Sequence, residues 1–115
     1  MSDADCLFCK MASGAIPVDK LQDDELVFTI RDINPRAPTH LLVIPKEHIP
    51  TASDVTEKHG GLLAHMFQTA TDLTRELGIS ETGYRLAINV GEDGGQSVYH
   101  LHMHVLGGHR LGAQG

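Results

Sequence analysis

Three histidines alternate with apolar residues close to the C-terminus, in the segment His100-Leu101-His102-Met103-His104-Val105-Leu106. Successive side chains of a β-strand point to opposite faces of a sheet, so this alternation predicts a strand with all three imidazoles on one face, roughly 7 Å from one to the next. The other face would be apolar and carry Tyr99, Leu101, Met103 and Val105. Three aligned imidazoles can supply nucleophiles, proton carriers or metal ligands. The alternative is an ordinary solvent-exposed face on which the histidines have no chemical role.

The remaining periodic segments predict an α+β fold. Apolar residues recur at three- and four-residue intervals between Gly61 and Leu77, which is typical of an amphipathic helix. We expect this helix to start between 56 and 61 and to be capped by Gly78. Shorter segments predict a helical turn over 6–11 and strands over 18–22, 25–31, 41–44 and 84–90. In the segment 25–31, an apolar face of Leu26, Phe28 and Ile30 alternates with Val27, Thr29 and Arg31.

These elements fit an antiparallel sheet of about five strands. The continuously apolar segment 41–44 is expected to be a central strand with both faces covered, and the alternating segment 84–90 to pair antiparallel with the histidine strand. The long helix would cover one face of the sheet. The histidines, and the chemistry they support, would lie on the other face.

Length and charge limit the class of protein. A chain of 115 residues predicts a single domain over 1–115, and its net charge of −6 argues against non-specific nucleic-acid binding, which needs a basic surface. No segment resembles a signal peptide or has the length of a membrane span. The sequence therefore predicts a cytoplasmic protein with neither a nucleic acid nor a membrane as partner.

The histidine segment and the loop before it could act on phosphate. A neutral imidazole is a competent nucleophile toward phosphorus, which gives His102 the central role, and His104 could stabilise charge or protonate a leaving group. The loop Gly94-Gly95-Gln96-Ser97 offers backbone N–H groups at Gly95 and side-chain donors at Gln96 and Ser97 for an anion, although most Gly-Gly turns are only turns. His40 could lie near the same phosphate or be a hydrogen-bonded structural residue. His59, His65 and His109 are expected at the surface.

A second set of residues has the ligand types of a zinc site. Cys6 and Cys9 are separated by two residues, and with His48 and His100 they could form a closed tetrahedral zinc site. Two inert thiols are the alternative. A thioredoxin-like pair would require a βαβ unit, which the sequence does not predict.

The chain resembles the histidine triad superfamily, whose signature is His-x-His-x-His-x-x with apolar x. The segments that resemble its Hint branch cover nearly the whole chain and comprise 32–40, 43–49, 94–100 and the triad itself. The Fhit-like branch typically has Pro-Arg after the triad, where this chain has Gly107-Gly108. The tail 109–115 departs from the Trp-Pro-Pro-Gly ending of the animal-type Hint proteins, so a leaving-group preference carried by that ending does not transfer.

The resemblance implies a homodimer with a joined ten-stranded sheet, and hydrolysis of purine nucleoside phosphoramidates such as adenosine 5′-phosphoramidate through a nucleotidyl-histidine. It implies His102 as the nucleophile, and around the phosphate and leaving group it places His104, His40, Asn89, Gln96 and Ser97. It implies that Asp32 accepts the ribose hydroxyls and that the base is contacted by Leu7, Phe8, Met11, Ile33 and Leu42. Zinc-containing members use the positions of Cys6, Cys9, His48 and His100, which implies a structural zinc and no catalytic metal.

Three other functions remain alternatives at this point. One is a dinucleoside polyphosphate hydrolase or nucleotidyl transferase with the same attacking group. Another is an enzyme in which His102 and His104 bind a catalytic metal. The third is a nucleotide-binding regulatory protein with little turnover.

Overall fold

A computed structural model describes residues 5–114 and has the predicted α+β fold. Its elements in chain order are helix α1 (Leu7–Ser13), strands β1 (Gln22–Asp23), β2 (Val27–Arg31) and β3 (Thr39–Pro45), helix α2 (Gly60–Glu76), and strands β4 (Tyr84–Ala87) and β5 (Met103–Gly107). Two short 3-10 turns, Ala52–Asp54 and Glu57–His59, precede α2. The five strands form one antiparallel sheet in the order β1-β2-β3-β5-β4.

A thiol hydrogen bond marks the start of α1, and glycines with positive φ follow the ends of both helices. The Cys6 thiol accepts a hydrogen bond from the Cys9 N–H at the start of α1, and Gly14 ends the helix with φ of 85°. Helix α2 ends at Glu76 and is followed by Gly78 with φ of 77°, so the predicted glycine cap is present. No helix within residues 5–114 is both long enough and apolar enough to cross a bilayer.

The sheet has a buried cluster of side chains on each face. Helix α2 covers a larger cluster in which Met66, Ala70 and Leu73 pack with side chains of β2, β3 and β5. On the other face, Phe8 of α1 packs with Phe28, Ile30, Leu42 and Ile44. Strand β3 is buried from His40 to Pro45, which confirms the prediction of a central strand covered on both sides.

The histidine strand is shorter than predicted. Strand β5 begins at Met103 and not at His100. Its pairing with β3 extends only to the couple Val43–Met103, near the end of β3 at Pro45. Proline has no N–H with which to continue a ladder. The Leu101 N–H instead donates to the Ile49 carbonyl at 2.7 Å. The predicted apolar face is nevertheless present, since Leu101, Met103 and Val105 all lie in the cluster under α2.

Three other strand predictions need correction. The segment 18–22 contributes only Gln22 to β1, and the strand predicted over 84–90 ends at Ala87. Strand β2 does not alternate between buried and exposed positions, because Val27 packs under α2 while Phe28 packs under α1. Leu26, expected on its apolar face, precedes β2 and is 47% exposed.

The prediction that His59 lies at the surface is wrong. Its ring is 6% exposed, and the Thr56 N–H donates to its Nδ1 at 2.9 Å. Its Nε2 therefore carries the proton and donates to the Glu47 carboxylate at 3.2 Å. The 3-10 turn folds the imidazole back at the start of α2. His109 is exposed as expected, and His65 is half-buried beside Asp24, with 2.7 Å between Nε2 and Oδ2.

Candidate active site

Two adjoining cavities open on the face of the sheet opposite α2, and four residues line both: Asp32, Ser97, His102 and His104. The larger cavity, about 480 Å³, is polar and is also lined by Asn34, Arg36, His40, Ala87, Asn89, Gly95 and Leu106. The smaller, about 240 Å³, is mainly apolar and is also lined by Leu7, Phe8, Met11, Ile30, Arg31, Ile33, Leu42 and Val98. An apolar pocket beside a polar one suits a ligand with a ring at one end and charge at the other.

His102 lies between the two cavities with a defined tautomer. Its Nδ1 lies 2.8 Å from the carbonyl oxygen of His100, which only accepts, so Nδ1 carries the proton and Nε2 has the lone pair. The ring is held edge-on by Phe8, with 5.2 Å between ring centroids, and is 7% exposed. The residue lines both cavities and is neither sealed in the apolar core nor part of a predicted metal cluster.

His40 and His104 form a hydrogen-bonded pair whose direction is fixed by the backbone. The Arg36 N–H donates to His40 Nδ1 at 3.1 Å, so the proton of His40 is on Nε2. That Nε2–H lies 2.9 Å from His104 Nδ1 and 3.4 Å from an Asp32 carboxylate oxygen. His104 Nδ1 therefore accepts, and His104 carries its own proton on Nε2.

Burial keeps both residues of this pair neutral. Burial and the neighbouring rings of His102 and His40 lower the pKa of His104 to about 4. Burial also lowers the pKa of His40, although the Asp32 carboxylate opposes that effect. At pH 7 the pair is consequently uncharged in the unliganded protein and offers the cavity a hydrogen-bond donor. The ligand atoms of Asp32, His40 and His104 are close enough to hold a metal ion, but the hydrogen bonds of the pair already account for their spacing.

The loop Gly91–Ser97 forms one wall of the polar cavity through its backbone. Asn89 Nδ2 donates to the Gly94 carbonyl at 2.8 Å, and the Gln96 side chain accepts a hydrogen bond from the Gly91 N–H at the start of the loop. A Cβ at Gly94 would lie 2.3 Å from the Val90 carbonyl oxygen, so this position requires glycine. Gly95 has φ of 80°, a conformation that also favours glycine.

The side chain of Gln96 is not placed where the sequence suggested. It is buried, its Oε1 accepts from the Gly91 N–H, and its Nε2 donates to the carbonyls of Pro50 and Val98. Gln96 lines neither cavity. The other residues expected around a phosphate or a base do line a cavity. Among the lining residues that sequence reasoning missed, Arg36 is the only arginine or lysine in the polar cavity and Arg31 the only one in the apolar cavity. The only sequence signal for Arg36 was that it lies four residues before His40, a residue already expected near the phosphate.

The four predicted metal ligands lie together, on the side of the sheet where the two cavities open. The ligand atoms of Cys6, Cys9, His48 and His100 are all within 4.8 Å of one another. His100 Nδ1 lies 3.2 Å from Cys6 Sγ, and His48 Nδ1 lies 3.3 Å from Cys9 Sγ. His100 Nε2 donates to the Pro45 carbonyl at 2.7 Å, which leaves Nδ1 with the lone pair that a metal needs. Two thiols and two imidazoles, one of them held in this tautomer, fit a tetrahedral zinc ion.

Comparison with known proteins identifies the family. The model of the HIT domain matches residues 13–111 of the chain. The chain belongs to the HIT domain family. It is 47% identical over 106 residues to the Escherichia coli K12 protein named purine nucleoside phosphoramidase, which covers 92% of this chain and 89% of the relative. A HIT family hydrolase from Legionella pneumophila superposes with a TM-score of 0.92 at 49% identity, covering 94% of this chain and 96% of that one.

A metal-containing HIT structure supports the interpretation of the Cys–His cluster. A histidine triad family protein from Mycobacterium smegmatis, described as zinc-bound, superposes with a TM-score of 0.77 at 33% identity, covering 92% of this chain and 76% of that one. In the present chain, the cluster of Cys6, Cys9, His48 and His100 could hold zinc.

Proposed function

We propose that this HIT protein hydrolyses purine nucleoside 5′-phosphoramidates in two displacements at phosphorus, with His102 as the nucleophile. The single observation that carries the proposal is the hydrogen bond from His102 Nδ1 to the His100 carbonyl, which leaves the Nε2 lone pair to attack in a residue that lines both cavities. The name of the Escherichia coli relative supports the phosphoramidate as substrate.

The nucleoside binds on the apolar side in this proposal. The base lies among Leu7, Phe8, Met11, Ile33 and Leu42, all of which line the smaller cavity. Asp32 lines both cavities, and its carboxylate accepts the ribose hydroxyls between them. The phosphate lies against Ser97 and the backbone at Gly95, beside Asn89.

In the first displacement, a bond forms between His102 Nε2 and phosphorus while the phosphorus–nitrogen bond breaks. The electron pair of that bond goes to the leaving nitrogen, which takes a proton from His104 and departs as ammonia or an amine. His104 is neutral in the free protein, but an anionic phosphate close to its ring raises its pKa and so favours the protonated form. The His100 carbonyl stabilises the positive charge that develops on the His102 ring.

In the second displacement, water attacks phosphorus and the bond to Nε2 breaks. The proton lost by the water returns to His104, and the products are a nucleoside monophosphate and free His102. While His104 is neutral, His40 donates its Nε2–H to His104 Nδ1. When His104 takes its second proton on Nδ1, the His40 Nε2–H donates instead to the Asp32 carboxylate, 3.4 Å away, and that carboxylate favours the positive charge.

Zinc has a structural role in this account. Cys6, Cys9, His48 and His100 would hold it, and when bound it would join the N-terminal segment to the segments that follow β3 and precede β5. His100 contributes its side chain to this cluster and its carbonyl oxygen to His102. The cluster thereby positions the nucleophile without contact with the substrate.

We also propose that the protein is a homodimer, as the resemblance implies. Strand β4 pairs only with β5 among the described residues, so its outer edge is available to extend the sheet. Tyr84 and Leu86 of β4, and Leu62 and Leu63 of α2, are half-buried apolar residues that pack against the core cluster under α2. Joining two β4 edges would produce the ten-stranded sheet.

Steady-state hydrolysis of adenosine 5′-phosphoramidate tests the activity. The wild-type protein should release ammonia and adenosine monophosphate, and His102→Ala should lower kcat by at least about a thousandfold, because removal of a nucleophile leaves only binding and electrostatic effects. His109→Ala removes an exposed histidine that lines neither of the two cavities and is the matched control. Tight binding of adenosine monophosphate by a wild-type protein without turnover would contradict the proposal and favour a regulatory role.

A further inference from the structure

Arg36 places a positive charge at the wall of the polar cavity. Among residues 5–114 its guanidinium group has neither an ion-pair nor a hydrogen-bond partner, and the residue is exposed. An arginine offers five donors in a planar fork that suits carboxylate and phosphate groups. The group is therefore available to a ligand.

The backbone of Arg36 is held in place by its surroundings. Pro35 precedes it and Pro38 follows two residues later, and both prolines have a fixed φ. The Arg36 N–H donates to His40 Nδ1, and His40 is 5% exposed. The intervening Ala37 is buried. The position of Arg36 relative to His40 and His104 is consequently set by buried parts of the fold.

The charge balance of the polar cavity makes this cation unusual. The residues that line it include one carboxylate, Asp32, and one cation, Arg36, and its other side chains are apolar groups, amides, a hydroxyl and imidazoles. The whole chain has a net charge of −6. Without Arg36, an anionic group on the leaving amine that enters this cavity would meet only the like charge of Asp32.

The location of Arg36 connects it with the leaving group. It lines the polar cavity but not the apolar one, in which the proposed function places the base. The shared residues His102 and His104 lie where the phosphate binds. The part of a substrate that extends from phosphorus into the polar cavity, on the side away from the base, is the leaving group.

We propose that Arg36 is a specificity-determining residue that binds an anionic group carried by the leaving amine. The chemistry it recognises is a carboxylate or a phosphate a few bonds from the scissile nitrogen. This inference rests on the proposed phosphoramidase function and names the class of substrate that the site prefers.

Two matched pairs of adenosine 5′-phosphoramidates test the inference. In one pair the amine is glycine or glycine methyl ester, and in the other it is phosphoethanolamine or ethanolamine. We expect wild-type kcat/KM to be about fivefold higher for the anionic member of at least one pair, the size of effect that a single partly solvated ion pair gives. The pair with the larger ratio identifies carboxylate or phosphate as the preferred group.

Arg36→Gln should remove this advantage, while kcat/KM for the two substrates whose amine carries no anionic group stays within about twofold of wild type. Arg36→Lys should retain part of it, since it keeps the charge but loses the fork. Arg75→Gln is the matched control, because it removes the same charge from an exposed position of α2 that lines neither cavity. The control should keep the wild-type ratios.

The outcomes separate this inference from the proposed function. A wild-type protein that hydrolyses none of the four substrates contradicts the phosphoramidase proposal itself. Turnover without a preference in either pair overturns only the role of Arg36, and so does a preference that Arg36→Gln retains. An equal loss on all four substrates in Arg36→Gln would also overturn it, because it would place the guanidinium on the shared phosphate.

Discussion

His104 has an environment that selects one protonation state. The ring accepts a hydrogen bond at Nδ1 from His40, and its pKa is lowered to about 4. The unfolded chain has an ordinary histidine pKa of about 6.5, so between pH 6.5 and 4 the unfolded state binds a proton that the folded state does not. The stabilisation associated with neutral His104 is complete above about pH 6.5 and declines as the pH falls toward 4.

Replacing His104 should therefore make folding stability less dependent on pH. Between pH 7 and 5, we expect the free energy of unfolding of the wild type to fall by roughly 1 kcal/mol more than that of His104→Gln, after allowance for partial solvent screening. Urea denaturation at the two pH values measures the difference. His109→Gln, an exposed histidine, is the control, and equal pH dependence in wild type and His104→Gln would show that the imidazole titrates normally.

The histidine triad itself shows which residue-level features a sequence can predict. Alternation placed Leu101, Met103 and Val105 in the core and His102 and His104 on the opposite face, because side-chain direction in an extended chain has a period of two. The tautomers could not be predicted. They depend on the Arg36 N–H and the His100 carbonyl, two backbone groups whose positions follow from the tertiary fold.

Among the elements, helix α1 depends most on chemistry outside itself. It has seven residues, which is too short for independent stability, and of these only Phe8 is fully buried. Its first turn is held by the thiol of Cys6, and Cys9 within the helix lies against His48 and His100. The proposed zinc ion would thus attach α1 to the rest of the protein.

Removing zinc should loosen α1 before it affects the sheet. After treatment with a strong chelator, we expect amide hydrogen exchange over 7–13 to accelerate by more than about tenfold, equivalent to about 1.4 kcal/mol of local stability, while exchange in β3 changes little. Cys9→Ser should behave similarly without a chelator. Restoring zinc to the wild type should restore protection, and identical exchange of α1 with and without the metal would contradict the structural role.

At this scale the sequence predicted helices better than strand ends. The three- and four-residue spacing located α2 to within its predicted limits, and Gly78 gave its end. The start of β5 depended on Pro45 of a neighbouring strand, and the burial of both faces of β2 depended on helices far away in the chain. The inward turn of His59 arose from the Thr56 N–H and Glu47, which no periodic pattern signals.

For the whole molecule, the free edge of β4 is the feature that a second copy of the chain would complete. Phe67 of α2 is 49% exposed and belongs to the apolar series of that helix. Phe67→Lys should raise the dimer dissociation constant at least about tenfold, because a charge would be introduced into an apolar interface. Sedimentation equilibrium measures the constant.

Leu26→Lys provides a matched control for that measurement. Leu26 is 47% exposed, close to the value for Phe67, but it precedes β2 at a distance along the sheet from β4. It should leave the dimer unchanged. A wild-type protein that sediments as a monomer, or equal effects of the two substitutions, would contradict a dimer formed through β4 and α2.

The molecule as a whole brings an apolar cavity, a polar cavity and a Cys–His cluster that could hold zinc around one side chain, His102. The most direct test is a rapid-quench reaction with adenosine 5′-phosphoramidate labelled in the nucleotide, followed by peptide mapping under alkaline conditions that preserve phosphorus–nitrogen bonds. We expect label on His102 within the first turnover, approaching one nucleotide per active site. Label on a different residue, or a complete first turnover with no nucleotide bound to the protein, would contradict nucleophilic attack by His102.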